Sequence, residues 1–342
     1  MKRLSQLRLE DLSIWAWAFG YFACYVPYSA LTKTVTGPGS GLSGLAILPI
    51  TTAVSMVGSF AFITALGWWK SAGRGTIGRR SLPMPGRWTF LSGLCSAAII
   101  GTTTLAYTFE GTSIVFMMLW MRGGVLVLAP IVDLISRRKV RRTAWGALAL
   151  SLAAVLLATA GGVELKLSGW AMVDIAVYLL AYFIRLQFMS RMSKSPDPES
   201  RRRYFVEEQM VATPAIVLVL GLLAVWGQGE GMLEVRHGFT DVMFSDAVGW
   251  LLLIGLFSQG TGVFGALILL DPRENSFSVP VNRASSVVAG VLAGYGLYVF
   301  SGAPPPGAAE LLGAGLVIAA VLLLSAPSLL GRRSVDASPS PQ

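Results

Sequence analysis

Hydrophobic positions in this chain fall into ten long blocks separated by short polar stretches. The blocks cover roughly residues 12–34, 42–68, 88–108, 111–136, 143–161, 167–191, 204–227, 247–270, 275–300 and 307–327. Each is near the length, about 20 residues, at which a helix crosses a hydrocarbon core of about 30 Å. None shows the strict alternation over about 10 residues that marks a transmembrane barrel strand. Backbone in lipid must satisfy its own hydrogen bonds, so the blocks predict helices, and the Gly and Pro residues inside several of them are tolerated there. Lys2, Arg3 and Arg8 precede the first block. It is longer than the core of a secretory signal, about 7–15 residues, and predicts an uncleaved first helix.

Composition agrees with that pattern. Of 342 residues, 54% are hydrophobic and 13% charged, against about 25% charged in soluble domains. The net charge of +9 would suit nucleic acid, but its placement does not. The Lys and Arg residues cluster between blocks, as in loops that face the cytoplasm. With the blocks numbered one to ten, 21 basic residues fall on one side, including Lys70 to Arg87, Arg137 to Arg142 and Arg191 to Arg203. The other side has only Lys33, Lys166 and Arg236. This asymmetry predicts ten spans with both termini inside, and no nucleic-acid partner. The longest outer loop, 228–246, carries Glu230, Glu234, Asp241 and Asp246.

Ten spans divide into two sets of five, the second entering from the opposite side, as in the inverted repeats of secondary transporters. A shift of 161 residues brings Tyr21 onto Tyr182, Phe22 onto Phe183, Gly101 onto Gly262 and Arg122 onto Arg283. The expected organisation is a first repeat over 1–162, a second over 163–330 and a disordered cytoplasmic tail over 331–342.

Leu105-Ala106-Tyr107-Thr108 leads into the fourth block, Pro130 lies near its end, and a basic turn (Arg137 to Arg142) precedes Gly146. This resembles the drug/metabolite transporter superfamily, whose repeat often carries such a proline, charged turn and glycine. In the second half Gly313 matches Gly146. Ser301 to Pro306 replaces the charged turn there, and the ninth block has no counterpart of Pro130. The resemblance implies a ten-helix, two-repeat carrier with a central cavity and alternating access. Plastid sugar-phosphate translocators, distant members, are similar in using basic residues of the fourth and ninth helices for phosphate.

Three basic residues remain inside blocks: Arg122, Arg185 and Arg283. Arginine at the bilayer centre costs roughly 2.5–3.5 kcal/mol on insertion scales, so it faces a cavity, a partner or water. Arg122 and Arg283 fall near mid-depth, one in each repeat. Their planar forks suit a carboxylate or phosphate, and the other reading is an internal ion pair with Asp174 or Glu110. Arg185 lies near the cytoplasmic end of the sixth block and is expected to snorkel. Asp174, Tyr178, Tyr182 and Arg185 share one helical face, as do Trp17, Tyr21, Tyr25 and Tyr28 in the first block. Tyr21, Tyr25, Tyr178 and Tyr182 are expected in the wall of a binding pocket, with Gln259 and Asn282 as further polar groups. Trp17 and Tyr28 are expected to serve helix packing and interfacial anchoring. Asp174 either couples transport to protons or pairs with an arginine.

Other chemistry finds no support in the residues. His237 is the only histidine and lies in a polar loop, and Cys24 and Cys95 lie in apolar blocks as free thiols, so no metal or cofactor is expected. Phosphate-loop, nucleophile-elbow and zinc-protease motifs do not occur, so no catalytic residues are expected and the chain is not read as an enzyme. The expected function is secondary active transport of a small anionic or zwitterionic metabolite: an amino acid, a carboxylate or a phosphorylated compound. The expected setting is a bacterial inner membrane, with lipids as partners and a homodimer left open. The alternatives are an exporter of hydrophobic or cationic drugs and a non-transporting receptor or assembly factor.

Overall fold

The computed structural model describes residues 14–37, 42–77, 80–109, 112, 114–135, 142–160, 168–192, 197–271 and 275–335. The first five helices are α1 (Ile14–Val35), α2 (Gly44–Ala65), α3 (Arg87–Ala106), α4 (Ile114–Ile135) and α5 (Arg142–Ala160). They are followed by α6 (Gly169–Met192), α7 (Pro198–Trp226), a short α8 (Glu230–Phe239), α9 (Val248–Leu269), α10 (Asn275–Ser301) and α11 (Ala308–Val335). Six of these have the length and apolarity to cross a bilayer: α2, α3, α6, α7, α9 and the Val281–Ser301 part of α10. Shorter apolar runs occupy α4, α5 and α11. Phe19, Leu152, Leu156, Leu180, Val225 and Phe300 are exposed on the outer faces of the helices. So many large apolar side chains outside are the surface of a protein solvated by lipid.

The helix ends follow local chemistry. Ser43 caps α2, its hydroxyl accepting from the Ala46 N–H at 3.1 Å and donating to Glu234 at 2.7 Å. Asp197 caps α7 ahead of Pro198 in its first turn, where proline's missing N–H costs nothing. At the other end of α7, Gly227 takes φ +60°, a conformation open to glycine. Arg236 then donates to the carbonyls of Ala224 (2.7 Å) and Val225 (2.9 Å).

Two stretches expected as plain loops carry structure. Residues 230–239, between α7 and α9, form α8, which packs on α2 and α7. Val235 is buried there, and Gly238 lies so close to the Ala46 carbonyl that a Cβ would collide with it. The connection after α2 holds an antiparallel hairpin, β1 (Arg74–Ile77) with β2 (Arg80–Pro83), registered Ile77 to Arg80. At the C-terminus α11 continues to Val335, five residues into the stretch expected as a tail. Arg332 and Arg333, good helix formers, carry it on.

Long-range packing joins early helices to late ones. α1 packs on α9 and α10, and α6 packs on α3 and α4. α2 lies on α9 and α7, and α7 on α3. α4 meets α10, and α5 meets α11. Residues far apart in sequence therefore converge at the centre.

Candidate functional site

The aromatic faces of α1 and α6 both turn inward. Trp17, Tyr21, Tyr25 and Tyr28 are all buried, as are Asp174, Tyr178, Tyr182 and Arg185. Helical spacing alone puts each set of four on one stripe. Trp17 packs against Phe264, ring centroids 6.2 Å apart. The Tyr28 hydroxyl bonds Thr104 at 2.7 Å. Both therefore serve helix packing, Trp17 against α9 and Tyr28 against α3, and neither is an exposed interfacial anchor.

Arg122 of α4 and Arg283 of α10 lie between these stripes, 2% and 0% exposed. Arg122 donates to the hydroxyls of both Tyr178 and Tyr25, and its guanidinium lies 5.3 Å from each ring centre. Arg283 donates to the same Tyr178 hydroxyl at 3.2 Å and stacks over the Tyr182 ring at 4.5 Å. Tyr25 is bonded in turn to the Tyr107 hydroxyl. Tyr178 is thus the bridge in a buried polar chain, Tyr107–Tyr25–Arg122–Tyr178–Arg283. Among the described residues nothing accepts from Arg122 Nε, or from Arg283 Nε and Nη2, and no carboxylate pairs with either guanidinium. Glu110, one suggested partner, lies outside the described residues. Asp174, the other, is buried with its Oδ2 unpaired and forms no ion pair with them.

A cavity of about 100 Å³ opens beside this chain. Its wall includes Tyr21, Tyr25, Arg122, Tyr182, Gln259 and Asn282. The helices that line it are α1, α3, α4, α6, α9 and α10, with Ser55 from α2 and Gln209 from α7. Gly265 gives the cavity room: a Cβ there would stand 3.0 Å from the Tyr21 ring and 3.4 Å from the Asn282 amide. Tyr178 and Arg283 do not line the cavity; Arg283 is stacked on Tyr182, which does.

Arg185 corrects the sequence reading. It does not snorkel to the interface, but lines the cavity and forms a side-on fork with Glu208, Nε to Oε1 at 2.8 Å and Nη2 to Oε2 at 2.7 Å. Ser92 (2.7 Å) and Ser96 (3.0 Å) also donate to Glu208 Oε1, so this carboxylate is held within the fold. The neighbouring Glu207 turns the other way. It accepts from the Gly73 and Gly86 N–H groups, both at 2.9 Å, from Thr89 at 2.6 Å and from Arg203 at 2.7 Å. It thereby ties both ends of the β1–β2 hairpin to α7.

The sequence reading missed Glu208, Gln209, Ser96 and Tyr107. A signal for the first was present: two carboxylates four residues inside an apolar block require partners, and Arg185 was the unclaimed cation.

No family model matches the chain, and no curated protein matches it significantly. A solved structure described only as "Crystal structure of protein" aligns at 14% identity and a TM-score of 0.49, over 93% of this chain and 98% of that one. At that level it supports no inference about this chain.

Proposed function

We propose that this protein is a ten-span membrane carrier that moves a small anionic or zwitterionic metabolite by alternating access. The carrying observation is the contrast in charge around the cavity. Two arginines are buried at the centre with no carboxylate among the described residues to neutralise them. Burial of an unpaired charge is strongly unfavourable, and two guanidiniums sharing one phenol repel each other. An anion at this point would relieve both costs. Arg122, in the cavity wall, would contact it. Arg283 would act from behind, through Tyr178 and Tyr182. A cationic drug would meet the wrong sign of potential.

The two-repeat reading has support in the packing. Exchanging α1–α5 for α6, α7, α9, α10 and α11 turns α1 on α9 and α10 into α6 on α3 and α4. It also maps α4 on α10 and α5 on α11 onto themselves. A membrane setting has support from aromatic residues: Trp170, Trp226 and Trp250 are exposed at helix ends assigned to one side, and Trp15, Trp88 and Trp145 at ends assigned to the other, as interfacial belts would be. This architecture fits the drug/metabolite transporter superfamily and a multi-pass inner-membrane location.

The test is a thermal-shift screen of the detergent-purified protein against anionic, zwitterionic and cationic metabolites, with Arg122→Gln and Arg283→Gln beside it. A ligand specific to the folded state raises the apparent melting temperature. Stabilisation of the parent by an anion, lost in Arg122→Gln, is the expected result. Stabilisation by cations, or equal responses from parent and variants, would overturn the proposal.

A further inference from the structure

The polar groups of the cavity wall are unevenly divided between donors and acceptors, and this narrows the substrate. Arg122 provides donors at one level. Arg185 lies seven residues beyond Tyr178, the partner of Arg122, on the same face of α6, roughly 10 Å along the axis. Its Nε and Nη2 are held by Glu208, which leaves Nη1 as the edge it offers to the cavity. Also in the wall is Gln209, the residue after the Glu208 that holds Arg185, and its Oε1 accepts from Ser59 at 3.0 Å. Gln209 therefore offers its NH₂. Gln259 has a buried Nε2 with no partner.

Acceptors are scarce. The wall contains no Asp or Glu, and the charge of Glu208 is already matched by Arg185. A substrate ammonium would find only neutral acceptors: hydroxyls, the amide oxygens of Gln259 and Asn282, and tyrosine faces. A second carboxylate would find charged and amide donors at both levels.

We propose that the substrate is anionic at both ends, a short-chain dicarboxylate with one head at Arg122 and the other at Arg185 Nη1 and the Gln209 amide. Zwitterions of the same length are rejected because no anionic acceptor meets their ammonium group. The cavity volume of about 100 Å³ limits the substrate to a small molecule. This inference rests on the anion-carrier reading above and narrows it.

The experiment is calorimetric titration of the purified full-length protein with succinate, butyrate and 4-aminobutyrate, which share a chain length and differ in the second head. Succinate is expected to bind about tenfold or more tightly than either, the scale of one charge-assisted contact. In Gln209→Met the preference should shrink. In Gln209→Glu it should reverse toward 4-aminobutyrate, a gain that misfolding cannot imitate. If 4-aminobutyrate or butyrate matches succinate in the parent, the two-headed site is wrong while the anion reading stands. If none of the three binds, the dicarboxylate proposal falls, and the thermal-shift screen with cations decides whether the anion reading falls with it.

Discussion

Arg185 and Arg122 line the same cavity from helices that touch, yet they live in opposite electrostatic settings. Arg185 has a carboxylate in a two-bond fork, itself held by Ser92 and Ser96. Arg122 has only phenols. The fork with Glu208 gives Arg185 a counter-charge within the fold and leaves it a neutralised donor in the cavity wall. Arg122 has no such counter-charge, and on the proposed function its charge is met by an anion from outside. Burial alone does not distinguish the two; the partner does.

The largest expected effect comes from breaking the satisfied pair. Glu208→Gln leaves Arg185 as an uncompensated buried charge, a loss of about 3–5 kcal/mol. Chemical or thermal unfolding in detergent should show it directly. The double variant Arg185→Met/Glu208→Met should recover much of that loss, because apolar replacement of a whole buried pair is often neutral. If Glu208→Gln is as stable as the parent, the fork is not structural and the comparison fails.

Arg122→Gln should behave in the opposite way. Removing an unpaired buried charge should leave the melting temperature of the protein without ligand unchanged or higher. Anion affinity should fall about 10–100-fold, the scale of a hydrogen bond to a charged group. Titration of the two proteins with the same anion measures this. A variant that unfolds but still binds when folded would make Arg122 a structural residue like Arg185.

Tyr178→Phe comes next. It deletes the hydroxyl that both arginines share, so the guanidiniums lose a common acceptor. A loss of stability of about 1–3 kcal/mol is expected for the orphaned donors. Tyr182→Phe, which keeps the ring over Arg283, should cost less. Equal effects would show that the hydroxyl bridge is unimportant.

The long helices and the inward aromatic faces of α1 and α6 were legible because both follow from local rules. Block length answers to the bilayer, and spacings of three and four define a helical stripe. Partner choice was not legible. Arg185 was assigned to the interface because its depth was judged along one helix, whereas Glu208 reaches it from α7, a contact fixed only by tertiary packing. Arg283 was paired with Arg122 by sequence offset, and the two do share Tyr178. Only the packing of Tyr182 shows that Arg283 stands one layer behind the wall. The hairpin and α8 were passed over because short elements leave little periodicity in a chain dominated by apolar blocks.

The smallest effect sharpens the comparison at the water-exposed end of α7, the helix that carries Glu208. Asp197 accepts from the Ser200 hydroxyl at 2.7 Å and from the Glu199 and Ser200 N–H groups at 3.1 and 3.0 Å. The Ser200 hydroxyl first, and then these N–H groups, hold its carboxyl below the usual carboxylate range. A carboxylate whose pKa is lowered by folding stabilises the fold above its unfolded pKa, near 4. That contribution is lost as the pH falls through the lowered folded value. At neutral pH, Asp197→Ala should therefore speed hydrogen exchange in the first turn of α7 and leave the Arg185–Glu208 fork intact. Once the pH has fallen through that lowered folded value, the variant and the parent should exchange alike, since the parent's cap is then protonated. A difference that persists undiminished in acid would mean that the cap works through side-chain shape rather than charge. Loss of succinate binding in this variant would mean that the end of α7 and the cavity are coupled along the helix that carries Glu208 and Gln209.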